Sequence, residues 1–340
     1  MTRDPLDQII RNVVYNEDVR NLLKLKQIDL THPYGEIIKF QLDECNDNNT
    51  SIEQEGFQVG EPFDGDIEHA PVLFLSSNPA FNFDEVSPRY FADSGKVFNP
   101  EHISAMKRVK FSDPNREYSF DEIREMFIEP NKEMSPDEIK TFLKTRIQNS
   151  PALNDQDQTL RIPLRDGGTK AVLYWRTVKN NTELLLPSAL TDKWTNLTPS
   201  QKAREIMKYV VCMEIVPFRS IMGAGLTPKL FDKCWEDFTK HLLALSGAEV
   251  IVLVRKPVFE AFCRNAHLDG KQKQTLDKHN IIHCDFGGKD RLVVKAENAG
   301  DGPGTALQSF NEYNVNTLSD LQKAVADSPL VQKAISKSDE

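Results

Sequence analysis

The chain has 340 residues, 39% of them hydrophobic, enough for a sizeable core in one large domain or two smaller ones. Its five cysteines (Cys45, Cys212, Cys234, Cys263, Cys284) are scattered without a C-x-x-C pair, which argues against a disulfide framework, a zinc ribbon and a cysteine-held iron–sulfur cluster. The net charge of −9 comes from residues 1–70, with 15 acidic and 6 basic side chains, so residues 71–340 are neutral overall.

The first residues, Met1 to Pro5, carry no apolar signal segment, and no apolar run approaches the roughly 20 residues of a membrane helix. A cytoplasmic protein without a membrane partner is expected. Residues 7–28 read as one helix, with Ile9, Ile10, Val13, Val14, Leu22, Leu23 and Leu25 partly at helical spacing. Residues 43–69 are polar, acidic and punctuated by Gly and Pro, and read as loop. The first clear strand is 72–76, an apolar run that ends abruptly at Ser76-Ser77-Asn78-Pro79. Asn-Pro marks a turn, because the residue before proline is pushed out of the helical region.

Residues 83–118 lack clear periodicity. Capping boxes at Ser119-x-x-Glu122 and Ser135-Pro136-x-Glu138 open helices near 120–128 and 136–148. Residues 149–170 look like loop, with Gly167-Gly168 as a turn, and Thr198-Pro199-Ser200-Gln201 starts a helix to about 208. Residues 140–179 hold eight basic side chains against three acidic ones. That local excess, with Tyr174-Trp175-Arg176, suits phosphate contact and stacking, so the overall pI of 5.4 does not exclude a nucleic acid. A solvated charged face and core packing explain the same residues.

From 209 onward the pattern becomes regular. Strand 209–216 ends at Pro217-Phe218-Arg219-Ser220. Thr227-Pro228 caps a helix with Phe231, Trp235, Phe238 and Leu242 on one face. Strand 249–254 ends at Arg255-Lys256-Pro257 and leads into a helix through Phe262. Strands 280–284 and 291–296 follow, then helices over about 317–335.

Near-continuous apolar strands alternating with helices predict an α/β fold: three layers around a mostly parallel sheet. The expectation is a single domain over 1–340. Residues 83–200 form a long, mainly helical insertion between the first and second core strands, and 317–340 form a helical tail. In a parallel sheet the residues just after each strand converge at one edge. Here those are Asn78, Arg219 and Ser220, Arg255 and Lys256, and Glu297 and Asn298. Glu214 is unusual, a carboxylate inside an apolar strand that needs a partner. Arg219 or Arg255 would serve.

Three segments in this order resemble the uracil-DNA glycosylase superfamily. Ser77-Asn78-Pro79-Ala80 is similar to its G-x-N-P-G loop, Met213 to Ser220 to its second-strand T-N-x-V-P segment, and Val254-Arg255-Lys256-Pro257 to its G-K-P-A helix start. Together they span about a third of the chain. The resemblance implies a four-stranded parallel sheet with a pocket for a flipped base. Asn78 would position the water that attacks the sugar, with Phe81 or Phe83 stacking on the base and Ser77 at the loop. The chain departs from the pattern in several places. Val293 to Gly302 contains no His-Pro-Ser motif, the first-loop glycines are absent, and Glu214 stands where the family reads uracil with Asn. A carboxylate accepts hydrogen bonds but does not donate them, so it suits an exocyclic amine better than plain uracil. The expected partner is a nucleic acid or nucleotide, and no cofactor or metal is expected. The main alternative is a non-catalytic binding or regulatory protein that keeps the fold.

Overall fold

The computed structural model describes residues 5–49 apart from 15, 24 and 26; 57–58, 63–77, 89–90, 152–153, 160–163 and 169–171; 173–296 apart from 222 and 280; and 315–336. The expected helices at 120–128 and 136–148 lie outside these residues, as do Asn78, Phe81, Phe83, Glu297 and Asn298.

The amino-terminal helix is two helices, α1 (Pro5–Val14) and α2 (Glu17–Leu23). Asn16 separates them: its side-chain Oδ1 accepts the Val19 amide at 3.0 Å and caps α2. A third helix, α3 (Gly35–Asp47), overlaps the stretch expected as loop and buries Ile37, Ile38, Gln41 and Cys45. Short strands β1 (Phe57–Gln58) and β2 (Phe63–Asp64) fall in the same stretch, before β3 (Val72–Ser76). Strand β4 (Arg89–Tyr90) pairs with β1.

The segment expected as loop at 149–170 instead contributes to a three-stranded antiparallel sheet of β5 (Ala152–Leu153), β6 (Leu160–Pro163) and β7 (Thr169–Ala171). Helices α4 (Leu173–Leu185), α5 (Ser188–Thr191) and α6 (Pro199–Met207) follow. The α6 start is the expected capping box: the Gln201 amide donates to Thr198 Oγ1 at 3.3 Å, and the Thr198 amide donates to Gln201 Oε1 at 2.9 Å.

The remaining core elements are β8 (Val210–Glu214), α7 (Pro228–Cys234), a π turn at Trp235–Thr239 leading into α8 (Lys240–Leu245), β9 (Val250–Val254), α9 (Lys256–Asn265) and α10 (Gly270–His279). Then come β10 (Ile281–Phe286), β11 (Lys289–Ala296), α11 (Val315–Ala326) and α12 (Pro329–Ser336). The two strands expected at 280–284 and 291–296 are one antiparallel hairpin, pairing Ile281 with Val294 through Phe286 with Lys289. Gly287 and Gly288, at φ of 68° and 80°, form its two-residue turn, where only glycine adopts both left-handed conformations without cost.

The central sheet has six strands rather than four, in the order β10-β11-β9-β3-β8-β2. Strands β11, β9, β3 and β8 are mutually parallel, and β10 and β2 flank them antiparallel. Every residue of β9 is buried, as are the first four of β3. Side chains alternate between two apolar layers, as strand geometry requires. Leu73, Leu75, Val211, Met213, Ile251 and Leu253 pack against α1–α3 and α7–α10. Val72, Phe74, Val210, Val250, Val252 and Val254 pack against α4–α6, α11 and α12. The carboxyl-terminal helices are therefore not a tail. Leu318, Leu321 and Val325 of α11 cover the sheet.

Helix α7 carries the expected apolar stripe, but it is not a continuous α-helix. Phe231, Trp235, Phe238 and Leu242 are all buried, with the π turn between the first and last. A π turn inserts an extra residue into the helix. It faces Thr239 toward β8, where the hydroxyl donates to the Ile215 carbonyl at 3.3 Å. Trp235, Phe262 and Phe286 meet edge to face at centroid separations of 5.7, 6.5 and 5.9 Å, joining this helix to α9 and the hairpin.

Candidate functional site

Strand β3 has parallel neighbours on both sides. The chain leaves it for β8 on one side, then returns to build β9 and β11 on the other. The strand order thus reverses between β3 and β9, and ligands of open α/β sheets bind outside the carboxyl ends of the strands at that reversal. Ser77 and Arg255 follow β3 and β9 directly at this edge.

Glu214 ends β8 and is the register partner of Ser76 at the end of β3. The Ser76 hydroxyl donates a close hydrogen bond to Glu214 Oε2. Both side chains are half-buried, on the face shared with Phe74 and Val210. The chain remains zipped beyond the strands: Ile215 and Val216 donate their amides to the carbonyls of Ser76 and Ser77 at 3.0 and 2.9 Å. Ser77 is itself buried. The loop that continues into Asn78 therefore starts from a root fixed against β8.

Arg219 lies further along the same segment. The Gln41 side chain donates to its carbonyl at 3.0 Å, tying it to α3. Phe218 before it is fully buried and meets Tyr34 edge to face at 5.4 Å, and Ser220 after it is buried. Arg255 is different. It is exposed, enters no ion pair among the described residues, and holds φ 77° and ψ 153° as the residue preceding α9. That region is close to glycine-only and costs about 1–3 kcal/mol for another residue. Of the two arginines expected to neutralise Glu214, Arg255 forms no ion pair with it, and Glu214 accepts a hydrogen bond from the Ser76 hydroxyl. Lys256 lies 3.6 Å from Glu260 on the exposed face of α9, and Lys295 at the end of β11 sits 4.5 Å over the Phe259 ring.

The structure thus brings Ser76, Ser77 and Glu214 onto adjoining strand ends, with Arg255 at the end of β9 and Arg219 five residues beyond β8, held by α3. Ser76 was not among the expected site residues. Nothing in its local sequence reveals a contact made 138 positions away.

Two polar clusters away from this edge also escaped the sequence reading. Tyr34 is fully buried; its hydroxyl donates to Asp237 Oδ2 at 2.8 Å and accepts from Asn16 Nδ2 at 3.4 Å. Burial first, then the nearby Cys234 and Asp237, pushes the phenol far above its ordinary value. Lys233 reaches Asp237 at 2.9 Å and Asp18 at 3.3 Å. Arg291 is 1% exposed and donates to three carbonyls: Nε to Ala248 at 2.9 Å, Nη1 to Phe286 and Nη2 to Ser246, each at 2.6 Å. Burial lowers its pKa, while Glu249 and Asp285 oppose the shift. Both clusters lock elements together. Asp66, Glu68 and His69 are the one group of described residues close enough to share a metal ion. They precede β3, at the sheet edge opposite Glu214.

No family model matches the chain, and no solved structure matches it. Among curated proteins it is similar to the trigger factor of Geotalea uraniireducens (strain Rf4), 29% identical over 213 residues. The match covers 60% of this chain and 47% of that protein, so the chain spans about half the length of the curated relative it matches. At that identity and coverage the match assigns no family.

Proposed function

We propose that the carboxyl edge of the sheet is a nucleobase pocket, and that the chain is a divergent N-glycosidase resembling uracil-DNA glycosylases. Its substrate would be a base in a nucleic acid or nucleotide. The observation that carries this reading is the Ser76–Glu214 pair at the root of the Asn78 loop, beside the reversal of strand order. Ser76 donates to one carboxylate oxygen and thereby orients the other as an acceptor. An acceptor of this kind takes an exocyclic amine, as on adenine, cytosine or guanine, and repels the O4 of uracil.

In this reading Asn78 orients a water whose oxygen bonds to the sugar C1′. The C1′–N bond breaks, its electron pair leaves with the base, and the water's proton passes to base or solvent. A neutral amide positions such a water and cannot deprotonate it strongly. Phe81 and Phe83 would stack on the base; Arg219, Arg255, Glu297 and Asn298 would line the pocket.

The test is base release from end-labelled single-stranded oligonucleotides carrying uracil or amine-bearing modified bases, followed by alkaline cleavage. Wild type should release an amine-bearing base and Asn78→Ala should not. Equal background from both proteins on every substrate removes the enzyme reading. The absence of a His-Pro-Ser motif from Val293 to Gly302 favours a second reading, a binding protein that keeps the pocket. Salt-sensitive oligonucleotide binding without base release would select it.

A further inference from the structure

Strand β10 ends the six-stranded sheet, and no described residue pairs with its outer edge. The direction of its backbone groups follows from one hydrogen bond. The Leu292 amide donates to the Glu249 carbonyl at 3.0 Å, so Leu292 turns its backbone groups toward β9. Its neighbours Arg291 and Val293 then turn theirs toward β10. They are register partners of Cys284 and Ile282, which therefore face inward. Ile281, His283 and Asp285 are left with their N–H and C=O groups directed away from the sheet.

Among the described residues this edge lacks two of the usual protections, a bulge and a proline: residues 281–286 pair with β11 in unbroken register. Beside them, a groove of about 450 Å³ runs between the hairpin and α11. Its apolar floor includes Ile281, Leu292 and Ala324, and Asp320, Lys323 and Asp327 stand on its α11 side. Asp285 and Asp290 add two exposed carboxylates at the hairpin end, with Asp290 holding the His283 ring at 2.8 Å. Two carboxylates thus line the groove, and two more stand beyond it at the hairpin end. Lys323 is the cation on the α11 side, and the nearby Lys289 is engaged by Glu249 at 3.0 Å.

We propose that β10 and this groove form a docking edge for an extended basic segment of another protein, which adds as a seventh strand. Backbone hydrogen bonds to Ile281, His283 and Asp285 would supply the pairing. Alternate apolar side chains would enter the groove, and lysines or arginines would meet the aspartates. This is the β-strand addition mode of peptide recognition. The role is independent of the nucleobase pocket, which lies at the carboxyl ends of β3 and β8.

The test uses the full chain and a fluorescein-labelled Lys-Val-Lys-Val-Lys-Val-Lys peptide, read by anisotropy. Its Glu-Val counterpart and a version N-methylated at alternate amides serve as controls. Wild type should bind the Lys-Val peptide at least tenfold more tightly than either control. His283→Pro removes an outward N–H without removing a bond to β11, and should weaken binding at least tenfold with an unchanged circular dichroism spectrum. The double variant Asp320→Lys/Asp327→Lys should weaken it by a similar factor. If His283→Pro fails to fold, the N-methylated peptide tests the same hydrogen bonds from the other partner. Equal affinity for the N-methylated peptide or for the Glu-Val peptide overturns the proposal. So does the absence of binding at 1 mM, or a concentration-dependent dimer that excludes the peptide and seats a second copy on this edge.

Discussion

Replacing Arg291 with leucine should be among the most damaging single changes in the described part of the chain. The guanidinium is 1% exposed and joins two stretches of backbone, the loop before β9 through the carbonyls of Ser246 and Ala248 and the end of β10 through that of Phe286. Hydrogen bonds from a charged donor contribute about 1.5–3 kcal/mol each, and an abandoned buried carbonyl costs about 1–3 kcal/mol. Leucine also removes the desolvation cost of the buried charge, which offsets several kcal/mol of that sum. The net loss expected is ~3–5 kcal/mol, a large share of the 5–15 kcal/mol typical of a folded domain. Urea unfolding followed by tryptophan fluorescence measures it, with the slope unchanged if the transition stays two-state. Arg291→Lys should recover part of the loss, because an ammonium reaches fewer of the three carbonyls in that geometry. A loss below about 1 kcal/mol for Arg291→Leu would refute the reasoning, since the three contacts would then stabilise nothing beyond what water supplies.

Other expectations follow from the same geometry. Arg255→Gly should raise the urea midpoint, by roughly 0.5–2 kcal/mol of stability, as relief of the strained φ outweighs the entropy of the added glycine; a fall would show that the backbone there is not strained. Asn16→Ala should cost about 1 kcal/mol by uncapping α2, and Asn16→Asp should keep the cap but lose the donor to Tyr34 and set a second carboxylate near Asp237, so it should not restore wild-type stability; both are read by urea unfolding. Tyr34 and Tyr209 both resist ionisation when folded, Tyr209 being pushed up to about 12 by burial and then Glu205. A raised folded pKa stabilises the protein fully below the unfolded value near 10, and this is lost as pH climbs toward the folded value. Stability should therefore fall from about pH 10 upward, and Tyr34→Phe should flatten that slope while lowering neutral stability by about 1–2 kcal/mol. An identical alkaline slope in the variant would count against a protected phenol at Tyr34.

The parallel core was legible because burial on both faces leaves a simple mark. Strands β3 and β9 are runs of apolar residues bounded by turn signals, and the capping pattern at Thr198 is local to four residues. The edges of the sheet were less legible. Strand β2 has two residues, too few for any period, and is held by its pairing with Met213 and Cys212. The β10–β11 hairpin did carry a signal in Gly287-Gly288 between two strand-like runs, and α3 carried one in Ile37, Ile38, Gln41 and Cys45. Arg291 could not be read as buried from its neighbours, since two of the carbonyls that hold it come from a single loop, 43 and 45 residues away, and the third from the adjoining hairpin. At the candidate site, Glu214 was recognisable as misplaced in an apolar strand, but its hydroxyl partner was set by strand register alone.

The π turn at Trp235–Thr239 sets the phase of this helix. Leu230, Cys234, Phe238 and Leu242 are buried at intervals of four, and a regular α-helix, at about 100° per residue, would drift by about 120° between the first and the last of them. The wider π turn absorbs the surplus residue, so Leu242 and Leu243 stay on the buried side with Leu230 and Phe231. Removing one exposed residue there, such as Glu236, would restore regular geometry with a phase change of only about 20°. Removing a second would swing the downstream apolar residues away from the core by about 100°.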